Sequence, residues 1–312
     1  MTSTAYVMRP QERVDAVLDT DAYNEIDDQF AIAYLLASPD RVNLEAIYAA
    51  PFQNKKATSP AEGMEKSYHE VLKLLTLAQK PNLAVSLFRG STRYLPDEKT
   101  PIISAAAQDL CERAERHTPH RPLYVLAIGA ITNVASALLI NPAIAANLVI
   151  VWLGGHAYHH KNNLEFNAKQ DVAAARVVFN SNAALVQLPC VGVVDTLTTT
   201  EPELRYWLSG KNALCDYLVS HTVEEAETYA RNKPWSRVIW DISAVAWLLD
   251  TEGRAVLDRC EHRPILQYDH HYSFSPDRPS LNYVYQIRRD AVFEDLFRRL
   301  ASLDTGIESQ MP

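Results

Sequence analysis

The chain has 312 residues, 47% of them hydrophobic, so it is long enough to bury a large core in one α/β domain or in two smaller ones. A net charge of −8 with no dense run of lysine or arginine disfavours nucleic acid as a partner, because phosphate binding wants a basic stripe. The sequence holds no run of about 20 apolar residues, its first thirteen residues are polar, and its four cysteines (Cys111, Cys190, Cys215, Cys260) show no CxxC spacing; a membrane span, a disulfide framework and a zinc knuckle are thereby disfavoured, and a cytoplasmic protein with reduced thiols is expected.

Apolar runs of strand length fall at 14–18, 44–48, 83–85, 123–128, 148–153, 185–188 and 191–194. Helical patterns lie between and after them, at 28–36, 61–78, 102–116, 133–139, 171–180, 213–231, 242–249 and 291–301. Strands alternating with helices predict an α/β fold, an open and mostly parallel (mixed) sheet with helices on both faces. No internal repeat, low-complexity tract or Gly/Ser linker breaks the series, so a single domain over 1–312 is expected, with 1–12 and 303–312 as flexible tails. In such a sheet ligands sit beyond the carboxyl ends of the strands, which makes the residues just after each apolar run the first candidates for a site.

After 14–18 comes Asp19-Thr20-Asp21-Ala22-Tyr23-Asn24-Glu25-Ile26-Asp27-Asp28, with five acidic side chains in ten residues. Crowded carboxylates raise one another's pKa unless a cation neutralises them, and an all-oxygen set suits a hard ion such as calcium or magnesium. Asp27 and Asp28 also fall where a helix begins, so a lone Asp-Asp pair would be no more than a favourable helix terminus. The density of the cluster tips the reading to a metal site on which Asp21 and the Asp27/Asp28 pair converge, with Asp19 facing away.

This segment resembles the N-terminal signature of the inosine-uridine preferring nucleoside hydrolase family, an aspartate-rich strand-to-helix turn ending in Asp-Asp. The family loop reads Asp-x-Asp-Pro-Gly-x-Asp-Asp; here it is two residues longer and lacks Pro-Gly, as in a divergent branch. The resemblance extends across the chain. Gly129-Ala130-Ile131-Thr132-Asn133 is similar to the family's Gly-Pro-Leu-Thr-Asn, which implies that Thr132 gives its backbone carbonyl to the ion, although Thr-Asn before an Ala-rich helix is by itself an ordinary cap. Asn162-Asn163-Leu164-Glu165-Phe166-Asn167 resembles the loop that grips sugar hydroxyls, and amide and carboxylate groups together offer the donors and acceptors a ribose needs. Asp241, which alone reads as a helix cap, matches the aspartate that completes the calcium shell. Many members have a histidine before it; Trp240 resembles the purine-preferring branch, where an indole stacks on the base. Asn54 falls where members place an asparagine near the ribose and the reacting bond. His156, His159 and His160 share the loop after 148–153 and read as solvated rather than as metal ligands.

The resemblance implies a Rossmann-like nucleoside hydrolase fold and calcium-dependent cleavage of the N-glycosidic bond of ribonucleosides, purines preferred, in nucleoside catabolism and purine salvage, by a dimer or tetramer. Such a bond breaks through an oxocarbenium-like transition state, so water must reach one face of C1′ while the base leaves from the other. Asp21, Asp28, Asp241 and the Thr132 carbonyl are expected to hold Ca2+, Asp21 to take the proton of the water, Asp27 and Asn167 to hold ribose hydroxyls, and Asn163 and Glu165 to meet the 5′ hydroxyl. The departing base is protonated either from solvent while stacked on Trp240 or by a histidine elsewhere, such as His156. Two other classes stay open. A haloacid-dehalogenase-like phosphatase shares Asp-x-Asp but wants Thr or Val where Tyr23 stands, and a ribosyl-binding homologue would have lost turnover.

Overall fold

The computed structural model describes residues 6–303. The expected alternation builds strands β1 (Val14–Thr20), β2 (Val42–Ala49), β3 (Leu87–Arg89), β4 (Leu123–Ala127), β5 (Leu148–Leu153) and β6 (Ala184–Leu188), and helices α1 (Asp27–Leu36), α2 (Pro60–Leu77), α3 (Ala105–Ala114), α4 (Thr132–Ile140), α5 (Phe166–Gln170) and α6 (Val172–Asn180). The C-terminal part adds β7 (Thr198–Thr199), α7 (Glu201–Leu208), α8 (Ala213–Ala230), β8 (Arg237–Val238), α9 (Ile242–Leu249), β9 (Val256–His262), β10 (Ile265–Leu266), β11 (Tyr272–Ser273), β12 (Ser280–Ile287) and α10 (Arg289–Ala301).

Eight strands form one sheet in the order β3-β2-β1-β4-β5-β6-β12-β9, and only β9 runs antiparallel to its neighbour. Every residue of β4 and β5 is buried, as strands covered on both faces must be. One face carries a core of α1, α2, α8, α9 and α10 around Phe30, Leu74, Trp247 and Phe293; the other carries α3, α4 and α6 around Leu110, Trp152 and Phe179. The chain lays β2 and β3 on one side of β1, then returns to place β4 on the other, so the order reverses between β1 and β4. A crevice opens at the carboxyl ends of such a pair, where Asp21 and the loop leading to Thr132 emerge.

Four expectations need correction. The run 83–85 lies in a 3-10 helix, Pro81–Ser86, with Val85 84% exposed, and the strand follows at β3. Pro81 starts that turn, and three apolar residues are too few for periodicity to separate strand from helix. The run 191–194 is a turn, because Gly192 adopts φ +94°, outside the range of a strand residue. The strands β9 and β12 were missed: β9 is a half-exposed edge that turns polar after Val256 and Leu257, and β12 buries Asn282, whose amide bonds Val7 and Asp258. The stretch expected to be an N-terminal tail is tied down from Tyr6 onward, with Arg9 donating to the carbonyls of Trp247 (2.7 Å) and Val256. The expectations for 1–5 and 304–312 lie outside the described residues. Among the described residues no helix is long and apolar enough to cross a membrane.

Candidate active site

The acidic segment takes its shape from two neighbours. Thr20 at the end of β1 donates its hydroxyl to Asp28 Oδ1 (2.5 Å), and the Asn24 amide N–H bonds the Asp21 carbonyl (2.7 Å), which folds the loop back over the strand end. The loop then delivers Asp27 and Asp28 as the first residues of α1. Asp241 arrives from the far end of the chain, on the residue before α9, which packs against α1. Ligand oxygens of Asp27, Asp28 and Asp241 all lie within 4.8 Å of one another. Asp21 stands beside them at 1% exposure, and a Cβ on Gly129 would lie only 3.2 Å from its Cγ, so the β4–α4 loop closes on it.

These carboxylates are buried and mutually repelling. Burial pushes Asp28 to about 7, and burial with the nearby Glu25 pushes Asp27 to about 8. Asp21 and Asp241 are raised well above the carboxylate range by burial and by their acidic neighbours. Arg237 offsets Asp27 and pairs with Glu25 at 2.7 Å. Asp21 Oδ2 and Asp27 Oδ1 are buried without a hydrogen-bond partner. Unpartnered buried carboxylate oxygens are costly unless a cation meets them, and an all-oxygen set of this kind fits a hard divalent ion.

The cluster forms one wall of a cavity of about 240 Å³ lined by Asp21, Asn24, Glu25, Asp27, Asp28, Ile128, Leu153, His156, Leu164, Glu165, Phe166, Asn167, Cys190, Val191, Trp240 and Asp241. Opposite the acids, Glu165 caps α5 and accepts from the N–H groups of Gly155, Asn167 and Ala168, each at 2.8 Å. Asn167 spends its amide N–H donors on the Ile128 and Leu153 carbonyls (3.1 and 3.0 Å), which ties the ends of β4 and β5 and leaves its Oδ1 for a ligand. Trp240 is half-buried on the rim.

Of the residues singled out in the sequence, Asp21, Asp27, Asp28, Glu165, Asn167, Trp240 and Asp241 line the cavity, while Thr132, Asn54 and Asn163 do not. Thr132 is buried at the start of α4 with its hydroxyl on Asp171 Oδ2 (2.7 Å). Asn54 spends its amide on Asn24 Oδ1 (2.7 Å), and Asn163 receives the His156 N–H on its Oδ1 from behind the cavity wall. Asp27, expected as a ribose contact, is the third corner of the carboxylate cluster. Asp19 stays outside the cavity, bonded to the Asn133 amide (2.8 Å). Asn24, Glu25 and Cys190 were passed over. The first two sit inside the acidic segment, and Cys190 stands two residues after the end of β6, where the strand-end rule points once 191–194 is not taken for a strand.

A sequence model of the family described as inosine-uridine preferring nucleoside hydrolase matches residues 16–292. A relative described as the pyrimidine-specific ribonucleoside hydrolase RihA of Klebsiella pneumoniae is 23% identical over 310 residues, covering 88% of this chain and 95% of that one. A purine-preferring ribonucleoside hydrolase from Gardnerella vaginalis has the same fold, with TM-score 0.69 at 17% identity over 93% of this chain and 98% of that chain. A plant nucleoside hydrolase gives TM-score 0.71 at 17% identity over 93% and 99%.

Proposed function

Because the chain belongs to the inosine-uridine preferring nucleoside hydrolase family, metal-dependent hydrolases of N-glycosyl compounds, we propose that it splits purine ribonucleosides into ribose and free base with Ca2+ as its ion. The observation that carries this is the buried Asp21/Asp27/Asp28/Asp241 cluster, with carboxylate oxygens lacking partners, facing a loop of amide and carboxylate groups across a cavity. Asp21, Asp28, Asp241 and the Thr132 carbonyl would hold the ion, which when bound supplies a water of lowered pKa and an anchor for vicinal hydroxyls.

The residues then divide the work. Asp21 in its carboxylate form accepts the water proton as the oxygen closes on C1′. Asp27 and the Oδ1 of Asn167 take the 2′ and 3′ hydroxyls, and Glu165, with Asn163 behind it, faces the 5′ hydroxyl. These contacts fix the ring for attack, and remote binding of this kind lowers the barrier by orientation. Asn54 acts through Asn24, which its amide holds against the cavity. The half-buried indole of Trp240 supports the purine preference, because a bicyclic base overlaps it more than a pyrimidine does.

The test is base release from inosine, adenosine, guanosine, uridine and cytidine, followed by chromatography. Faster release from the purines, with the advantage lost in Trp240→Ala, is the expected result. The relatives described as pyrimidine-specific give the opposite outcome its weight: a preference for uridine and cytidine would overturn the purine assignment while keeping the reaction.

A further inference from the structure

We propose that His156 is the acid that protonates the departing base, an inference that rests on the ribosyl site described above. The argument begins with the stereochemistry of a β-nucleoside, whose base at C1′ and hydroxymethyl group at C4′ project from the same face of the ribose. The 2′ and 3′ hydroxyls project from the other face, the one turned to the carboxylates. Groups that flank the 5′ hydroxyl therefore stand on the leaving-group side, opposite the water.

His156 is fixed to that side. Its backbone N–H bonds Asn163 Oδ1, and the preceding Gly155 N–H bonds Glu165 Oε2 at 2.8 Å, so the two residues assigned to the 5′ hydroxyl also set the position of the imidazole. The ring lines the cavity with Trp240. Its Nδ1 is buried without a partner, which leaves Nε2 as the accessible ring nitrogen. Among the described residues no other histidine lines the cavity. The Asp21, Asp27, Asp28 and Asp241 carboxyl groups stand on the side of the 2′ and 3′ hydroxyls, Glu165 has its oxygens taken by three backbone N–H groups, and the Cys190 thiol is buried and held well above the ordinary thiol range by burial and by Glu165.

A route for the proton is present. The His160 ring lies 5.5 Å from that of His156 between centroids, and His159 lies 4.7 Å from His160; both outer rings are exposed. Gly192 makes this packing possible, since a Cβ there would come within 2.8 Å of Ala157 and 3.0 Å of His160. In the step itself the C1′–N bond breaks, its electron pair passes into the base, and the imidazolium proton moves to a ring nitrogen of the base. The water oxygen bonds C1′ and its proton goes to Asp21. The neutral imidazole is recharged from solvent past His160, so the sum is nucleoside plus water to ribose plus neutral base.

The titratable groups around the ring are His160 and His159 from its own loop, Asp195 from the turn after β6, and Glu165 and Cys190, which bond the backbone of the neighbouring Gly155. Burial and His160 hold the imidazole below its ordinary range, and Asp195 opposes them in part. Turnover that needs the acid form is therefore lost as pH rises through a value below the usual 6.5 of histidine.

The experiment compares wild type and His156→Gln on inosine and on p-nitrophenyl β-D-ribofuranoside, whose phenolate leaves without a proton, across pH 5 to 8. The expected result is a fall of about 100-fold or more in the ratio of inosine to nitrophenyl turnover, the size of a general-acid contribution, with the descending limb of the inosine profile removed. Equal losses on both substrates, or an unchanged inosine profile, would overturn the assignment of His156 alone. Ribose released from neither substrate by wild type would instead overturn the reading of the site, and this inference with it.

Discussion

At the residue scale, function and folding compete for the same side chains. Glu165 is as much a helix cap as a ligand group, with three backbone N–H donors at 2.8 Å, and Gly155 supplies one of them from a φ of +81°. A Cβ on Gly155 would sit 2.0 Å from the Tyr272 hydroxyl. Gly155→Ala is thus expected to destabilise the fold by about 2 kcal/mol or more and to lower activity together with it, as a melting curve and a rate would show. Asp28 is the opposite case. Its neighbours are Thr20 and other acids, so Asp28→Asn should hold or raise the stability of the ion-free protein while abolishing ion binding by calorimetry.

At the element scale, the parallel strands and most helices were legible because their patterns are long and one-sided: 242–249 coincides with α9, and 213–231 overruns α8 by one residue. Elements governed by long-range contacts were not. The polar strand β9 owes its place to Asn282, Arg9 and Trp247 bonding Asp258, partners remote in sequence. The acidic turn was readable as a cluster, yet which carboxylates share a cation depends on α9 bringing Asp241 to α1, a packing fact that no local spacing encodes. The β4–α4 turn offers a clean separation of roles. The Thr132 hydroxyl serves Asp171, which caps α6 and accepts from Leu95 N–H (2.9 Å), whereas the proposed ligand is its backbone carbonyl. Thr132→Val should cost about 1–3 kcal/mol in a denaturant titration, because a buried carboxylate oxygen loses one of its two hydrogen bonds and keeps only the Leu95 N–H, and leave ion affinity nearly intact.

At the scale of the whole molecule, the site is a store of unfavourable charge that an ion relieves. Asp27 has its pKa raised from 3.8 in the unfolded chain to about 8 in the fold, so its neutral form supports the ion-free structure fully below pH 4 and that support is lost as pH rises to about 8. Asp28 follows the same course to about 7. A bound cation favours the ionised forms, so the rise in melting temperature on adding calcium should grow steadily from pH 4 to pH 8. A rise that is constant or shrinks over that window would mean that the carboxylates are not the groups that meet the ion.

The most direct test of the account is ribose release from inosine by protein stripped with a chelator and then titrated with Ca2+. The account predicts no release from the stripped protein, recovery that saturates at one ion per chain, and no recovery in Asp28→Asn. Full activity after complete chelation, or recovery of the variant along with the wild type, would contradict it.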